Sequence, residues 1–149
     1  LEGDVKRLIK EGIMKLLMVY TDNFAYKTTT KTLDEFPDID KNISVEKFLI
    51  GFIHAEEKDE ENLQRTVTKL IKNLKWAAKK NNTQKIILHS FAHLSESKAT
   101  SKITKEIFDN AEQRLLNSGY QVQQTPFGYF LNLRVDAPGY SLARIFKSF

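Results

Sequence analysis

Residues 84–95, QKIILHSFAHLS, open on an apolar run and close on a cluster of hydroxyl, imidazole and aromatic groups. A short dense run bounded by polar punctuation is the pattern of a strand, so the spacing predicts a strand over 84–90 and a loop beyond it. Both flanks change period. Upstream, Leu63, Val67, Leu70, Ile71, Leu74 and Ala78 follow one helical face from about Asp59 to Lys80. The acids of this segment fall in its first turn and its lysines in the last, the order that complements the helix dipole. Downstream, Ile103, Ile107, Ala111 and Leu115 mark a second amphipathic helix over about Thr100–Ser118, with hydroxyl caps before it and Gly119 placed to end it.

Further out, IMKLLMVY at 13–20 reads as the first strand, because it is dense, short and followed by TDN. The alternating threonines of FAYKTTTKTL (24–33) suggest a half-exposed strand, and DEFPDIDKN a polar loop. VEKFLIGFIHAE (45–56) reads as one strand despite its glycine. YQVQQT (120–125) and YFLNLRV (129–135) alternate, the second with Leu131, Leu133 and Val135 on one face, and the tail GYSLARIFKSF (139–149) is expected to close the domain as a short helix. This order predicts a single α/β domain, bordering on α+β, in which two long amphipathic helices cover one side of a mixed sheet. Met14 resembles a natural start, which makes residues 1–13 an N-terminal extension or remnant, with Val5, Leu8 and Ile9 able to form a short helix.

The chain has 149 residues, enough for one core without staples. Its hydrophobic fraction of 41% and charged fraction of 28% are those of an ordinary globular protein, and no apolar run approaches a membrane span. Zero cysteines exclude a disulfide framework and a thiolate zinc site. The opening LEGDVKRLIKEGI lacks the long apolar region of a secretory signal, so a cytoplasmic location is expected. The net charge of +4 suits a polyanion such as RNA, but no block of basic residues stands out along the chain, and charge alone leaves simple solubility equally open.

His89 and His93 have the i, i+4 spacing that shares a metal on a helix, but here one ends a strand and the other lies in a loop. With His54 as the only third imidazole, no metal site and no cofactor are expected. No G-x-S-x-G elbow and no glycine-rich phosphate cradle is present. A loop histidine bonded to backbone is the plain reading of His93. In TPFGYF (125–130), Gly128 either completes a turn or lets a ligand approach the backbone, where N–H groups hold a carbonyl oxygen.

FAHLS (91–95) before the second helix and PFGYF (126–130) after the strand YQVQQT stand together in one order. In this order the chain resembles the N-terminal editing domain of archaeal threonyl-tRNA synthetases, a relative of the D-aminoacyl-tRNA deacylases. MKLLMVYTDNFAY and FIHAEEKDE are similar to the family's first strand and to its next strand and helix entry, and the resemblance covers residues 14 to about 146.

The resemblance implies a D-aminoacyl-tRNA deacylase-like fold and a homodimer that hydrolyses serine wrongly attached to threonine tRNA. It implies the acceptor end of that tRNA as partner, with a threonyl-tRNA synthetase core in cis or in trans. Serine lacks only a methyl group of threonine, a difference worth roughly 1–3 kcal/mol in a binding pocket, so a second hydrolytic sieve is needed. Carried over by position, Ala55, Phe91, Ala92 and His93 form one wall of the pocket, with His93 as the catalytic candidate. Phe127, Gly128, Tyr129 and Phe130 form the other wall, and Arg134, Arg144, Lys147 and the lysines ending the first helix are the RNA-contact candidates. The attacking water is oriented with help from the terminal ribose hydroxyl of the tRNA. This chain departs from the family at Leu131, where a lysine follows PFGYY, and at Arg144, where GHPLAE supplies a glutamate; YTD (20–22) replaces HSD. These departures define an alternative, a catalytically degenerate copy that acts as a tRNA-binding or accessory module, and a remoter one, deacylation of another small aminoacyl group.

Overall fold

In the computed structural model, which describes residues 13–149, strand β1 (Lys15–Tyr20) sends Leu16 and Met18 to one side and Leu17 and Val19 to the other. Both sides are covered, which is why the run is apolar throughout rather than alternating. The proposed extension at 1–13 lies, apart from Ile13, outside the described residues. After β1 come β2 (Asn23–Lys31), β3 (Asn42–Glu46) and β4 (Leu49–His54). Helix α1 (Leu63–Lys80), β5 (Lys85–Ser90), α2 (Ser101–Asn117), β6 (Gln121–Gln124), β7 (Tyr129–Asp136) and β8 (Arg144–Ser148) complete the order.

Five strands form a mixed sheet in the order β6-β5-β4-β1-β8; β4, β5 and β6 run parallel, and β1 pairs antiparallel with both β4 and β8. The parallel pairs require crossovers, and α1 and α2 supply them. Both helices lie on one face, where Leu70, Leu74, Ile107 and Phe108 meet Leu16, Leu49, Ile86 and Leu88. Each such side chain contributes about 1.5–3 kcal/mol by leaving water. Gly51 lets α1 approach this closely, since a Cβ there would stand 3.0 Å from Leu74 Cδ2. Asn62 and Thr100 cap the two helices, accepting from the Arg65 and Ile103 N–H groups.

A second sheet, β3-β2-β7, is antiparallel and covers the opposite face, packing Phe24 and Tyr26 against Val19, Ile50, Phe52 and Ile87. The result is a single domain of three layers, helices, mixed sheet and antiparallel sheet, as the α/β reading expects.

Three local expectations are corrected. The run 45–56 is not one strand: the chain turns at Lys47, whose φ is +61°, and the two halves enter different sheets as β3 and β4. The helix expected from Asp59 begins at Leu63, and the acids of 57–61 form a separate 3-10 turn before it, where the Asp59 carboxylate accepts from the Glu56 and Met14 N–H groups. The tail is a 3-10 turn at 141–143 followed by β8, because the free edge of β1 offers it a full ladder from Val19 to Lys15.

Candidate functional site

Two loops face each other at the C-terminal ends of β4 and β5. The segment after β5 and the turn before β7 line a cleft of about 280 Å3, with Phe91, Ala92 and His93 on one side and Phe127, Gly128, Tyr129 and Phe130 on the other. An adjoining cavity of about 430 Å3 adds Ile53, Ala55, Lys98 and Thr104 while sharing Ala92, His93, Phe127 and Phe130. Every wall residue named from the resemblance thus lines one or both spaces. Arg134, Arg144 and Lys147 line neither: Arg134 is on the outer face of the antiparallel sheet, and Arg144 and Lys147 are on the β8 edge.

The turn carrying Gly128 is locked from several directions. Its carbonyl accepts from the Thr32 and Leu33 N–H groups at 2.7 and 3.3 Å. The Tyr129 hydroxyl donates to the Pro37 carbonyl and accepts from the Ile39 N–H, while Phe127 packs edge-on against Phe36 at 5.0 Å. Gly128 has φ of +84°, and a Cβ there would lie 3.2 Å from both Leu33 and Phe36, so any side chain is strained and crowded at this position.

The opposite loop hangs on His54. This fully buried ring accepts the Leu94 N–H at Nδ1, 3.1 Å away, which leaves Nε2 to donate to the Ser97 carbonyl. Phe91 wedges edge-on between Phe52, at 5.5 Å, and the exposed His93 ring, at 5.1 Å. His89, also lining the cleft, is buried with Nδ1 2.8 Å from Thr125 Oγ1; burial lowers its pKa to about 4, so it is neutral at physiological pH.

The lining determines the available chemistry. Among the described residues no aspartate or glutamate borders either space, and the titratable side chains are His89, His93, Lys98 and Tyr129. The described lining therefore offers no carboxylate to a paired-acid mechanism or to a Ser-His-Asp triad. Backbone donors remain. The N–H groups of Ala92, His93, Phe127 and Gly128 meet no acceptor among the described residues. Such groups are suited to hold a carbonyl oxygen as charge develops on it.

Sequence reasoning missed His54, Lys98 and the Thr32–Leu33 corner. His54 is one polar residue in an apolar strand, and its partners lie about 40 positions away, so no local pattern announces it.

The three-layer arrangement is a D-aminoacyl-tRNA deacylase-like fold. A solved structure named c-Myc DNA Unwinding Element Binding Protein superposes with a TM-score of 0.64 at 11% identity, covering 91% of this chain and 98% of that one, a likeness of fold alone. The model of the Archaea-specific editing domain of threonyl-tRNA synthetase matches residues 14–149, and the chain belongs to that family. The threonine–tRNA ligase of Methanosphaera stadtmanae is 31% identical over 137 residues, and that of Thermococcus kodakarensis 28% over 138. In each case the match takes in 91% of this chain and 22% of the ligase, so the chain spans about a fifth of the relatives' length. No helix among the described residues is long and apolar enough to cross a membrane.

Proposed function

We propose that this domain hydrolyses the ester of serine mischarged on threonine tRNA, with backbone groups and an ordered water acting on a substrate that brings its own hydroxyl. The observation that carries this reading is the pair of facing loops around Ala92 and Gly128, whose unengaged N–H groups border a carboxylate-free cleft. The seryl carbonyl oxygen accepts hydrogen bonds from these donors, which stabilise the tetrahedral oxyanion. The attacking water bonds to the carbonyl carbon and passes its proton through the terminal ribose hydroxyl to the departing ribose oxygen as the ester C–O bond breaks, releasing serine and free tRNA, and His93 orients the aminoacyl group from the rim. Gly128 and Ala92 keep the cleft small, so the extra methyl of threonine meets the wall.

The partners in this reading are the acceptor end of threonine tRNA, a second copy of the chain and a threonyl-tRNA synthetase core in cis or in trans, in a cytoplasmic setting. The homodimer is supported by β7, an open edge strand on which Phe130 and Val135 are exposed. A second reading, a degenerate module that binds tRNA without hydrolysing it, is favoured by one residue. Leu131 lines the cleft where the family resemblance implies lysine, and leucine donates nothing to a developing charge.

The test is incubation of the protein with seryl-tRNA and threonyl-tRNA, following ester loss against buffer. Faster loss from seryl-tRNA alone supports editing. No acceleration for either ester, with tRNA still bound, selects the binding module.

A further inference from the structure

Helix α1 carries Arg65, Lys69, Lys72, Lys75, Lys79 and Lys80 and no acidic residue. Lys75 turns toward α2, where its Nζ meets Ser118 Oγ at 2.9 Å. The other five recur with Trp76 at steps of three and four, on the face opposite the buried Leu70, Leu74 and Ala77. They form a continuous stripe about 22 Å long at 1.5 Å per residue. From the neighbouring β8, Lys147 reaches the same place: its Nζ is 5.6 Å from the Trp76 ring centroid, and Lys80 Nζ is 5.8 Å from it. The indole is nevertheless 41% exposed.

Two ammonium groups over one exposed ring are attracted by its face and repelled by each other, so an anion placed between them is favoured. The stripe also has a direction. Thr83 Oγ1 donates to the Lys47 carbonyl, which puts the C-terminal end of α1 beside the start of β4, so the helix runs back toward the end of the sheet at which the cleft opens. The acids Glu57, Glu60 and Glu61 lie before Arg65 and leave the helix itself wholly cationic.

We propose that this stripe is a second RNA contact: Lys69, Lys72, Lys80 and Lys147 engage phosphates of the tRNA whose aminoacylated end occupies the cleft, and Trp76 packs against an exposed nucleoside. The inference rests on the editing reading only for the choice of RNA. Phosphates spaced along a backbone match a cationic line, and an indole among the cations adds a surface on which bases stack.

The experiment uses the full chain, unacylated threonine tRNA as the binding probe and seryl-adenosine as a small ester. Trp76 is the only tryptophan, so its fluorescence reports this surface alone. Wild-type binding quenches that emission, and the Lys72→Gln/Lys80→Gln/Lys147→Gln variant binds about tenfold more weakly, with a salt slope shallower by about 0.9 for each phosphate that is no longer neutralised. Trp76→Leu weakens binding about tenfold and Trp76→Phe restores most of it, while cleavage of seryl-adenosine stays at the wild-type rate in all three. Equal tRNA affinity and salt slope in wild type and the triple variant overturns the proposal and leaves editing standing. Unchanged Trp76 emission in the bound complex overturns it too, as does stripe-dependent binding to phosphatidylserine vesicles without binding to tRNA. Stripe-dependent tRNA binding with no cleavage of either ester supports the stripe while removing the editing reading.

Discussion

His89 Nδ1 and Thr125 Oγ1 stand 2.8 Å apart and tie the end of β5 to the turn before β7, the two walls of the cleft. Burial holds the His89 pKa at about 4, so the ring in this pair is neutral at physiological pH and its tautomer sets which partner donates.

Unfolding frees His89 to titrate near its ordinary value of 6.5, so between pH 6.5 and 4 the unfolded chain binds the extra proton. Stability therefore falls as the pH drops through this window, by up to about 3 kcal/mol. Asp59 acts in the opposite sense. Burial raises its pKa to about 6 from 3.8, so the folded chain binds the proton between these values and gains stability on acidification. Urea unfolding at pH 4 and pH 7 separates the two. The stability advantage of wild type over His89→Gln shrinks on going to pH 4, whereas its advantage over Asp59→Asn grows. A difference independent of pH for either variant contradicts the assignment.

His54 predicts a localised effect. Replacing it by alanine leaves the Leu94 N–H and the Ser97 carbonyl without their partners and opens a cavity, a loss of about 2–4 kcal/mol. Hydrogen exchange should accelerate most over residues 92–98, and ester hydrolysis should fall even where the protein remains folded. Uniform acceleration over the whole domain would show instead that His54 serves only the core.

How far this site can be read from sequence depends on how local its causes are. The facing loops are legible in FAHLS and PFGYF because short motifs carry them, and β5 is legible because Ile86, Ile87 and Leu88 are buried whichever way they face. The break between β3 and β4 is hidden, since nothing local in VEKF (45–48) marks Lys47 as the residue that takes positive φ. In the tail, Leu142, Ile145 and Phe149 have helical spacing, and only the distant edge of β1 makes a strand the better solution. Of the cationic stripe of α1, only the lysines that end the helix and Lys147 are legible in a linear scan; its continuity along the helix is not. Its charges are separated by core residues and converge only when the helix winds.

Gly128→Ala tests the turn itself. The left-handed conformation costs a side chain about 1–2 kcal/mol. The 3.2 Å approach to Leu33 and Phe36 adds to this, so the variant should lose about 2–3 kcal/mol in urea unfolding. Because the turn shifts relative to Ala92, hydrolysis of seryl-tRNA should fall by a larger factor than stability alone explains at a temperature where the variant is fully folded. Wild-type activity in a folded variant would mean that the cleft does not hold the ester.

Leu131→Lys distinguishes an active editor from a degenerate one. Leu131 is half-buried, lines the cleft and packs beside the cluster of Phe24 and Tyr26, so a lysine there can lay its stem along the same apolar surface and carry its ammonium to the opening. One well-placed donor at a developing oxyanion is worth about 100- to 1000-fold in rate. If the wild-type domain is slow because it lacks this group, the variant should hydrolyse seryl-tRNA at least tenfold faster while tRNA affinity changes little. If wild type is already fast, the variant should gain nothing, and the role of the lysine falls to backbone donors or to Lys98, which lines the adjoining cavity. Lys98→Met then decides between these two: a loss of rate with unchanged KM assigns the charge to Lys98, and an unchanged rate assigns the oxyanion to the main chain.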